Sequence, residues 1–374
     1  MRVLIAAGGT AGHINPALAI AGCIRQHVPD AEIHFAGRRG GMEYGLVTKA
    51  GYAFHPIEVR GIQRHLTPKN IARNVAAVHH LVWSMPRAEA ILREVKPDLV
   101  IGAGGYVSGP VVQAAAHRGI KTAIHEQNAF PGVTNKLLAP RVDVVFAAMP
   151  DAVARLGAPE KTVVTGNPVR AEMFAQNRAD ARRAVGARDG QVVVLSFGGS
   201  LGAQRVNEVV AQLAVWELAN RDFLHIHATG SIEKADFAAL AHTLGIDADP
   251  RFSIREYIDD MPLLLAAADL VISRAGALTL AEIAAVGRAA VFIPSPNVAE
   301  NHQYYNALQF QKAGAAVVLP EKELTGEKLI EIVDGLTADP ARLLEMGAKA
   351  RSLAQPDSLD KIWNSLEKLL KTPV

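Results

Sequence analysis

Short apolar runs, glycine-rich turns and longer stretches of helical spacing alternate along the chain. Strands are predicted at Arg2–Ala7, Glu32–Ala36, Leu99–Gly102, Thr122–His125, Val142–Ala147 and Thr162–Thr165. A second set is predicted at Val192–Phe197, Leu224–Ala228, Phe252–Arg255, Leu270–Ser273, Ala289–Ile293 and Ala316–Leu319. These runs are rich in Val, Ile and Ala and mostly do not alternate with polar residues, as expected of strands covered on both faces of a parallel sheet. Strands spaced by helical stretches predict βαβ units and an α/β chain of two Rossmann-like, doubly wound parallel-sheet domains. Thr165-Gly166-Asn167-Pro168-Val169-Arg170 punctuates the boundary with Gly and Pro. The predicted domains are 1–169 and 170–351. Ala171–Val185 reads as charged, Ala-rich helix. Leu359, Ile362, Trp363, Leu366, Leu369 and Leu370 recur at helical spacing, which predicts an amphipathic helix within 352–374 that packs back on the first domain.

Length agrees with this division: 374 residues, at about 150 per domain, make two domains. A hydrophobic content of 49% with 20% charged residues is globular, not disordered, composition. Cys23 is the single cysteine, so a disulfide framework and a Cys-ligated zinc site are excluded. No apolar run reaches the roughly 18 residues of a membrane span. Gly8-Gly9 ends the first apolar run too early for a secretory signal, so that run reads as a strand. The net charge of +2 conceals an asymmetry. Residues 1–169 hold 18 Lys/Arg and 11 Asp/Glu, a net of +7, and the rest hold 21 and 26, a net of −5. Either the basic half meets an anionic partner or surface, or the split is compositional scatter.

One pattern occurs twice. Val3–Ala7 leads into Gly8-Gly9-Thr10-Ala11-Gly12, and Val192–Phe197 into Gly198-Gly199-Ser200-Leu201-Gly202. A glycine-rich turn that opens a helix exposes backbone N–H groups at the positive end of the helix dipole and lets a phosphate approach closely. No Gly-Lys-[Ser/Thr] follows either loop, so neither is a Walker A. Neither completes GxGxxG, although Asp30 and Glu32 keep a dinucleotide reading open for the first. A tight turn without ligand is the other reading of any one loop. A third such loop is Gly102–Pro110. The repeat predicts two similar nucleotide-fold domains facing each other across a cleft.

Seven motifs then occur in order: Gly8–His13, Gly104–Pro110, His125-Glu126-Gln127-Asn128, Gly166–Arg170, Gly198–Ala203, Tyr257-Ile258-Asp259-Asp260-Met261 and Arg274–Glu282. Together they resemble the MurG family of peptidoglycan N-acetylglucosaminyltransferases, from residue 1 to about residue 350. The resemblance implies a glycosyltransferase B fold and inverting transfer of N-acetylglucosamine from UDP-N-acetylglucosamine. The acceptor it implies is the 4-hydroxyl of N-acetylmuramyl-pentapeptide on undecaprenyl pyrophosphate, so that lipid I becomes lipid II. It implies a role in cell-wall biogenesis, and hence in cell shape and division, as a peripheral enzyme on the anionic cytoplasmic face of the inner membrane. It implies no cofactor, no metal and no nucleic-acid partner.

Residue roles follow from the same resemblance. Ser200 and its loop would bind the donor diphosphate, and Arg170 would neutralise it through a planar fork of donors. Ile258 would contact uracil, and Glu282 the ribose hydroxyls. Ala277, Leu278, Thr279, Leu280 and Ala281 open the helix that carries Glu282, with N–H groups free for a polar ligand. Gln303 would read the sugar, with Asn306 nearby. His302 stands where the family often has Gln, which leaves open how the sugar hydroxyls are read. Thr10, Ala11, Gly12 and Asn128 are counted with the donor site, and Gly104, Gly105 and Tyr106 with the acceptor. The Thr10–Gly12 loop is equally suited to the lipid pyrophosphate. Ala11 replaces the family's usual Gly, a small cost unless φ > 0 is required there. Inverting transfer needs a general base, and His13 and Glu126 are the two candidates. Asp247-Ala248-Asp249 precedes a Pro and reads as a surface turn, not a cation site.

Val59–Ala88 holds Arg60, Arg64, Lys69, Arg73 and Arg87 and no acid, with Ile71, Val75, Val78 and Val82 at helical spacing. Such a stretch either lies on an anionic membrane or is a core-facing helix with a basic rim. Lys136 and Arg141 would extend the patch. Two rivals share the two-domain plan. A UDP-sugar epimerase would bring acid–base carboxylates into the cleft, and a nucleotide-sugar sensor would bind without turnover.

Overall fold

The computed structural model describes residues 1–59, 84–298 and 301–372. The chain forms two compact units, one of Met1–Val169 with Gln355–Val374 and one of Arg170–Ala354. Unit 1 runs β1 (Arg2–Ala6), α1 (Ala11–His27), β2 (Glu32–Gly37), α2 (Met42–Lys49), β3 (Ala53–Pro56), α3 (helical over 84–95), β4 (Leu99–Gly102), α4 (Ser108–His117), β5 (Lys121–Glu126), α5 (Val133–Leu138), β6 (Val144–Ala147), α6 (Asp151–Leu156) and β7 (Thr162–Val164). Unit 2 runs α7 (Glu172–Ala175), α8 (Arg178–Ala184), β8 (Val193–Phe197), α9 (Gln204–Asn220), β9 (Leu224–Ala228), α10 (Lys234–Leu244), β10 (Phe252–Arg255), α11 (Met261–Ala267), β11 (Leu270–Ser273), α12 (Ala277–Val286), β12 (Ala289–Phe292), α13 (His302–Lys312), β13 (Ala316–Val318), α14 (Gly326–Thr337) and α15 (Pro340–Ser352). The last helix, α16 (Ser358–Lys371), belongs to unit 1.

Both sheets are wholly parallel, ordered β3-β2-β1-β4-β5-β6-β7 and β10-β9-β8-β11-β12-β13. This is the doubly wound order, whose direction reverses at β1/β4 and at β8/β11. The apolar strands explain it. Val3 and Ile5 enter one buried cluster with Leu99 and Ile101, while Leu4 and Ala6 enter another with Val100 and Ile124. Each strand therefore buries both faces, and a parallel sheet with helices on each side satisfies that demand. The final helix α16 packs on α1, β5 and β6. Ile362 and Leu366 are buried in the α1-side cluster, and Trp363 stacks on His27 at 4.5 Å.

Three expectations are corrected. Strand β3 is missing from the sequence reading, because a four-residue edge strand ending in Pro56 carries little periodic signal. The predicted helix Ala171–Val185 is two helices, interrupted where Asn177 caps α8 by accepting from the Asp180 N–H at 3.1 Å. Strand β6 begins at Val144 and not Val142, because Ala139–Arg141 makes a tight helical turn first. The amphipathic basic stretch predicted at Val59–Ala88 lies largely outside the described residues. Among the described residues no helix is long and apolar enough to cross a membrane.

Leu366 is fully buried. Leu366→Ala is expected to lower the unfolding free energy by about 2–5 kcal/mol, read by urea denaturation. A loss below about 0.5 kcal/mol would mean that α16 contributes no packing to unit 1.

Candidate active site

The glycine loops sit where a doubly wound sheet binds ligands, at the carboxyl ends of the strands that flank the reversal of strand order. In unit 1 these are the turns after β1 and β4. The strands end in register, Ala6 beside Gly102, and the Ala103 N–H donates to the Ala6 carbonyl at 2.9 Å. Ser108, fully buried, ties the second turn: its hydroxyl oxygen accepts from the Gly104 N–H at 3.1 Å, and its single proton lies between the Ala6 and Gly104 carbonyls, each 2.9 Å from the oxygen. Gly105 has φ +80°, and a Cβ there would overlap the Gly8 carbonyl. Gly104 has φ +103°, and a Cβ there would overlap the His13 ring. Glycine at both positions thus lets the two turns touch and lets His13 lie against the second.

His13 is in the first turn of α1 and half-buried. Its Nδ1 lies 3.1 Å from the Gly8 carbonyl and 3.2 Å from the Thr10 hydroxyl. A carbonyl only accepts, so Nδ1 carries the proton and Nε2 keeps the lone pair. Burial lowers the His13 pKa from its ordinary value, against the upward pull of Glu126, the Gly8 carbonyl and Glu43. Ala11 begins α1 with φ outside the left-handed region, so its methyl group brings no backbone strain.

Glu126 ends β5 and is buried. Its Oε1 accepts from the Asn128 N–H at 2.9 Å and the Asn128 side-chain amide at 3.1 Å. Its Oε2 accepts from the Gly132 N–H at 3.0 Å and Asn135 Nδ2 at 2.8 Å. Four donors occupy both oxygens, so this carboxylate organises the 127–135 turn. Both oxygens are thus engaged in holding the turn, not turned to a substrate hydroxyl. His125, fully buried, faces the Gly166 carbonyl through Nε2 at 3.4 Å and the Gln127 amide through Nδ1 at 3.0 Å. Burial pushes its pKa down to about 4, so it stays neutral. Tyr106 is half-exposed at the mouth of the β4 turn.

Unit 2 repeats the plan. Gly199 and Gly202 adopt φ +102° and +93°, and Ser200 lies between them ahead of α9. Gly202 and Gly230 are in backbone contact. Asn207 on α9 donates to the Thr229 carbonyl at 3.0 Å and fixes that neighbour. Across the strand reversal, Gly276 caps α12, which opens Ala277, Leu278, Thr279, Leu280, Ala281. Glu282 in its second turn is 8% exposed, and burial lifts its pKa to about 7 against the opposing charge of Arg170. Arg170 Nε is itself buried without a partner among the described residues. A buried guanidinium N–H without a partner among the described residues, beside a carboxyl that burial destabilises, is what a ligand site offers. Ile258 is buried ahead of α11. Gln303 accepts from the Ser295 N–H at 2.8 Å through its side-chain carbonyl, which orients the side chain. Asn306 is buried within α13. Asp249 is committed to Arg251, with contacts of 2.8 to 3.1 Å, and Asp247 to His242 at 3.2 Å.

Three positioning residues escape the sequence reading: Ser108, Asn207 and Glu43. Ser108 lies in a motif and Asn207 beside one, whereas Glu43 lies in none, and each makes a backbone contact distant in sequence. The glycines around Glu43 (Gly37, Gly40, Gly41) are the one local signal.

Comparison with known proteins agrees with this geometry. The glycosyltransferase family 28 N-terminal domain matches residues 3–147 and its C-terminal domain matches residues 193–362. Both halves of a family 28 glycosyltransferase are thus present in order. A UDP-N-acetylglucosamine–N-acetylmuramyl-(pentapeptide) pyrophosphoryl-undecaprenol N-acetylglucosamine transferase of Desulfitobacterium hafniense is 43% identical over 363 residues, 97% of each chain. One of the same name from Acetivibrio thermocellus is 40% identical over 371 residues, 99% of each. The crystal structure of Acinetobacter baumannii MurG is 31% identical with a TM-score of 0.73, covering 98% of this chain and 99% of that one. The chain belongs to the MurG family of N-acetylglucosaminyltransferases.

Gly105→Ala should destabilise the fold by about 1–3 kcal/mol or more, because left-handed strain adds to the clash with Gly8. Gly186→Ala, equally left-handed (φ +77°) but with open space around it, should cost only about 1 kcal/mol. Equal losses in thermal or chemical unfolding would show that contact between the turns adds nothing.

Proposed function

We propose that the protein transfers N-acetylglucosamine from UDP-N-acetylglucosamine to the muramyl 4-hydroxyl of lipid I, forming lipid II and UDP. Relatives of this name at about 40% identity over nearly the whole chain favour it over epimerase or sensor. The observation that carries the mechanism is the His13 imidazole, fixed with Nδ1 on the Gly8 carbonyl so that Nε2 keeps its lone pair, with the ring against the Gly104 turn. His13 Nε2 removes the proton of the acceptor hydroxyl. The hydroxyl oxygen bonds to C1 of the sugar as the bond from C1 to the β-phosphate oxygen breaks, which inverts that carbon. Negative charge gathers on the departing diphosphate, where Arg170 and the N–H groups of the Ser200 turn and α12 stabilise it. Glu126 serves as an organiser of the 127–135 turn and as a nearby negative charge that favours the imidazolium.

The donor occupies unit 2. Glu282 accepts from the ribose hydroxyls, Ile258 lies at the uracil, and Gln303 reads the sugar. Gly104, Gly105 and Tyr106 line the acceptor side; Thr10, Ala11, Gly12 and Asn128 are counted with the donor, the Thr10–Gly12 loop being equally suited to the acceptor pyrophosphate. This divides the roles along the two units, with 1–169 and the last helix for the acceptor and 170–351 for the donor. The enzyme works as a peripheral protein on the cytoplasmic face of an anionic membrane. Val133 and Leu137, 61% and 59% exposed one turn apart on α5, support this with Lys136 and Arg141 beside them.

Acceptor-dependent release of UDP, with a disaccharide–lipid product, tests the reading. Donor binding without such release would overturn it. His13→Ala should reduce kcat by about 10²–10⁴-fold, the usual worth of a general base. Glu282 adds a pH test. A carboxyl raised to about 7 is partly protonated at neutral pH, and ribose hydroxyls bind its ionised form. Affinity for UDP-N-acetylglucosamine should therefore fall as pH drops below about 7, by up to about tenfold per pH unit. Glu282→Gln should flatten that dependence in calorimetric titrations. The raised pKa also means that ionising Glu282 costs fold stability, so the donor-free protein gains stability as pH falls from about 7 toward the ordinary carboxyl value of 4.5, and this group contributes no slope above pH 7.

A further inference from the structure

Glu43 is a buried carboxylate that the transfer mechanism does not use. It lies in the first turn of α2 and is 1% exposed. Its Oε1 accepts from the Arg38 N–H at 2.9 Å and its Oε2 from the Gly9 N–H at 3.4 Å. A Cβ on Gly8 would stand 2.7 Å from Oε1, and one on Gly37 2.8 Å from Cγ. The turns after β1 and β2 thus close on one carboxylate. An anion beside a turn suited to a diphosphate opposes ligand charge and is costly to bury. The N–H donors of Arg38 and Gly9 offset that cost. Gly8 touches Glu43 on one side and Gly105 on the other, and its carbonyl receives the His13 Nδ1–H at 3.1 Å.

We propose that Glu43 is a positioning residue for sugar transfer: by holding Gly8 it fixes the Nδ1–H tautomer of His13 and leaves Nε2 as the base. The proposal rests on the reading of His13 as that base. Among the described residues, the ionisable groups that act on His13 are Glu126 and His125 from β5 and Glu43 from α2, and the Gly8 carbonyl and Thr10 hydroxyl lie at its Nδ1. Both carboxylates raise the imidazole pKa against burial, so loss of the Glu43 charge makes His13 less basic. A glutamine keeps the shape, but its amide N–H groups would meet the Arg38 or Gly9 N–H, donor against donor.

Full-length Glu43→Gln and Glu43→Asp test this. Imidazole nitrogen NMR reads the tautomer and titration midpoint of His13. Steady-state rates against pH, with UDP-N-acetylglucosamine and a short-chain lipid I analogue, read catalysis. In Glu43→Gln the Nδ1–H share should fall and the midpoint move to lower pH. The kcat should fall by about tenfold to a hundredfold, as misplacement of a reacting group does. Its acid limb should follow the NMR midpoint, and donor affinity should not change. Glu43→Asp keeps the charge, so its midpoint should stay near the parent value while kcat falls. An unchanged tautomer and midpoint in folded Glu43→Gln overturn the proposal. If that variant does not fold, Glu43→Asp with parental kcat and tautomer overturns it. A shifted NMR midpoint that the rate profile does not follow overturns His13 as base, and with it the link from Glu43 to catalysis.

Discussion

In unit 1 the site depends on one close approach, the backbone of Gly105 against the carbonyl of Gly8. Neither turn could lie there with a side chain at 105, and Gly104 likewise yields its space to the His13 ring. The Gly8 carbonyl is then held in place to take the Nδ1 proton of His13. The hydrogen bonds of Ser108 lock the second turn to the end of β1, so the contact does not rely on van der Waals packing alone. Rigid strand ends deliver both turns, because Ala6 and Gly102 are register partners in the sheet.

The two units share a topology and differ in what they place at the strand reversal. Unit 1 sets an imidazole among carboxylates whose oxygens are already engaged by backbone and amide donors. Unit 2 sets a buried carboxyl near a guanidinium whose Nε has no partner among the described residues. The difference is one of donor count. Glu126 receives four donors and holds a turn, whereas Glu282 has little but Arg170 to offset burial, and its pKa rises. The first arrangement suits proton transfer and the second suits binding of a polar anionic ligand. A sugar nucleotide and a hydroxyl acceptor call for that pair of functions.

Much of this was legible in the chain. Uninterrupted Val/Ile/Ala runs specify strands buried on both faces, and the strand–GG[ST]xG–helix repeat marks the turns at both strand reversals. Motif order pointed to the family that the comparisons show. The helix break at Asn177 and the edge strand Ala53–Pro56 were not legible, because each depends on a local cap or a single neighbouring strand and not on a repeating pattern. His13 was the first candidate for the base and Glu126 its rival, and the sequence could not separate them, since a residue type says nothing about how many donors will surround it.

By itself, then, the sequence determined the parallel α/β architecture, the positions of the phosphate-type turns and the identities of the ionisable groups near them. These depend on local propensity, hydrophobic period and the conformational freedom of glycine. Tertiary structure decided the tautomer of His13, the engagement of Glu126, the rise of Glu282 to a pKa of about 7 and the place of Glu43 beneath Gly8. Those properties are set by which distant backbone groups and charges lie within a few ångströms and by how much water is excluded. Only the folded chain brings residues such as Gly8, Glu43 and Gly105 together.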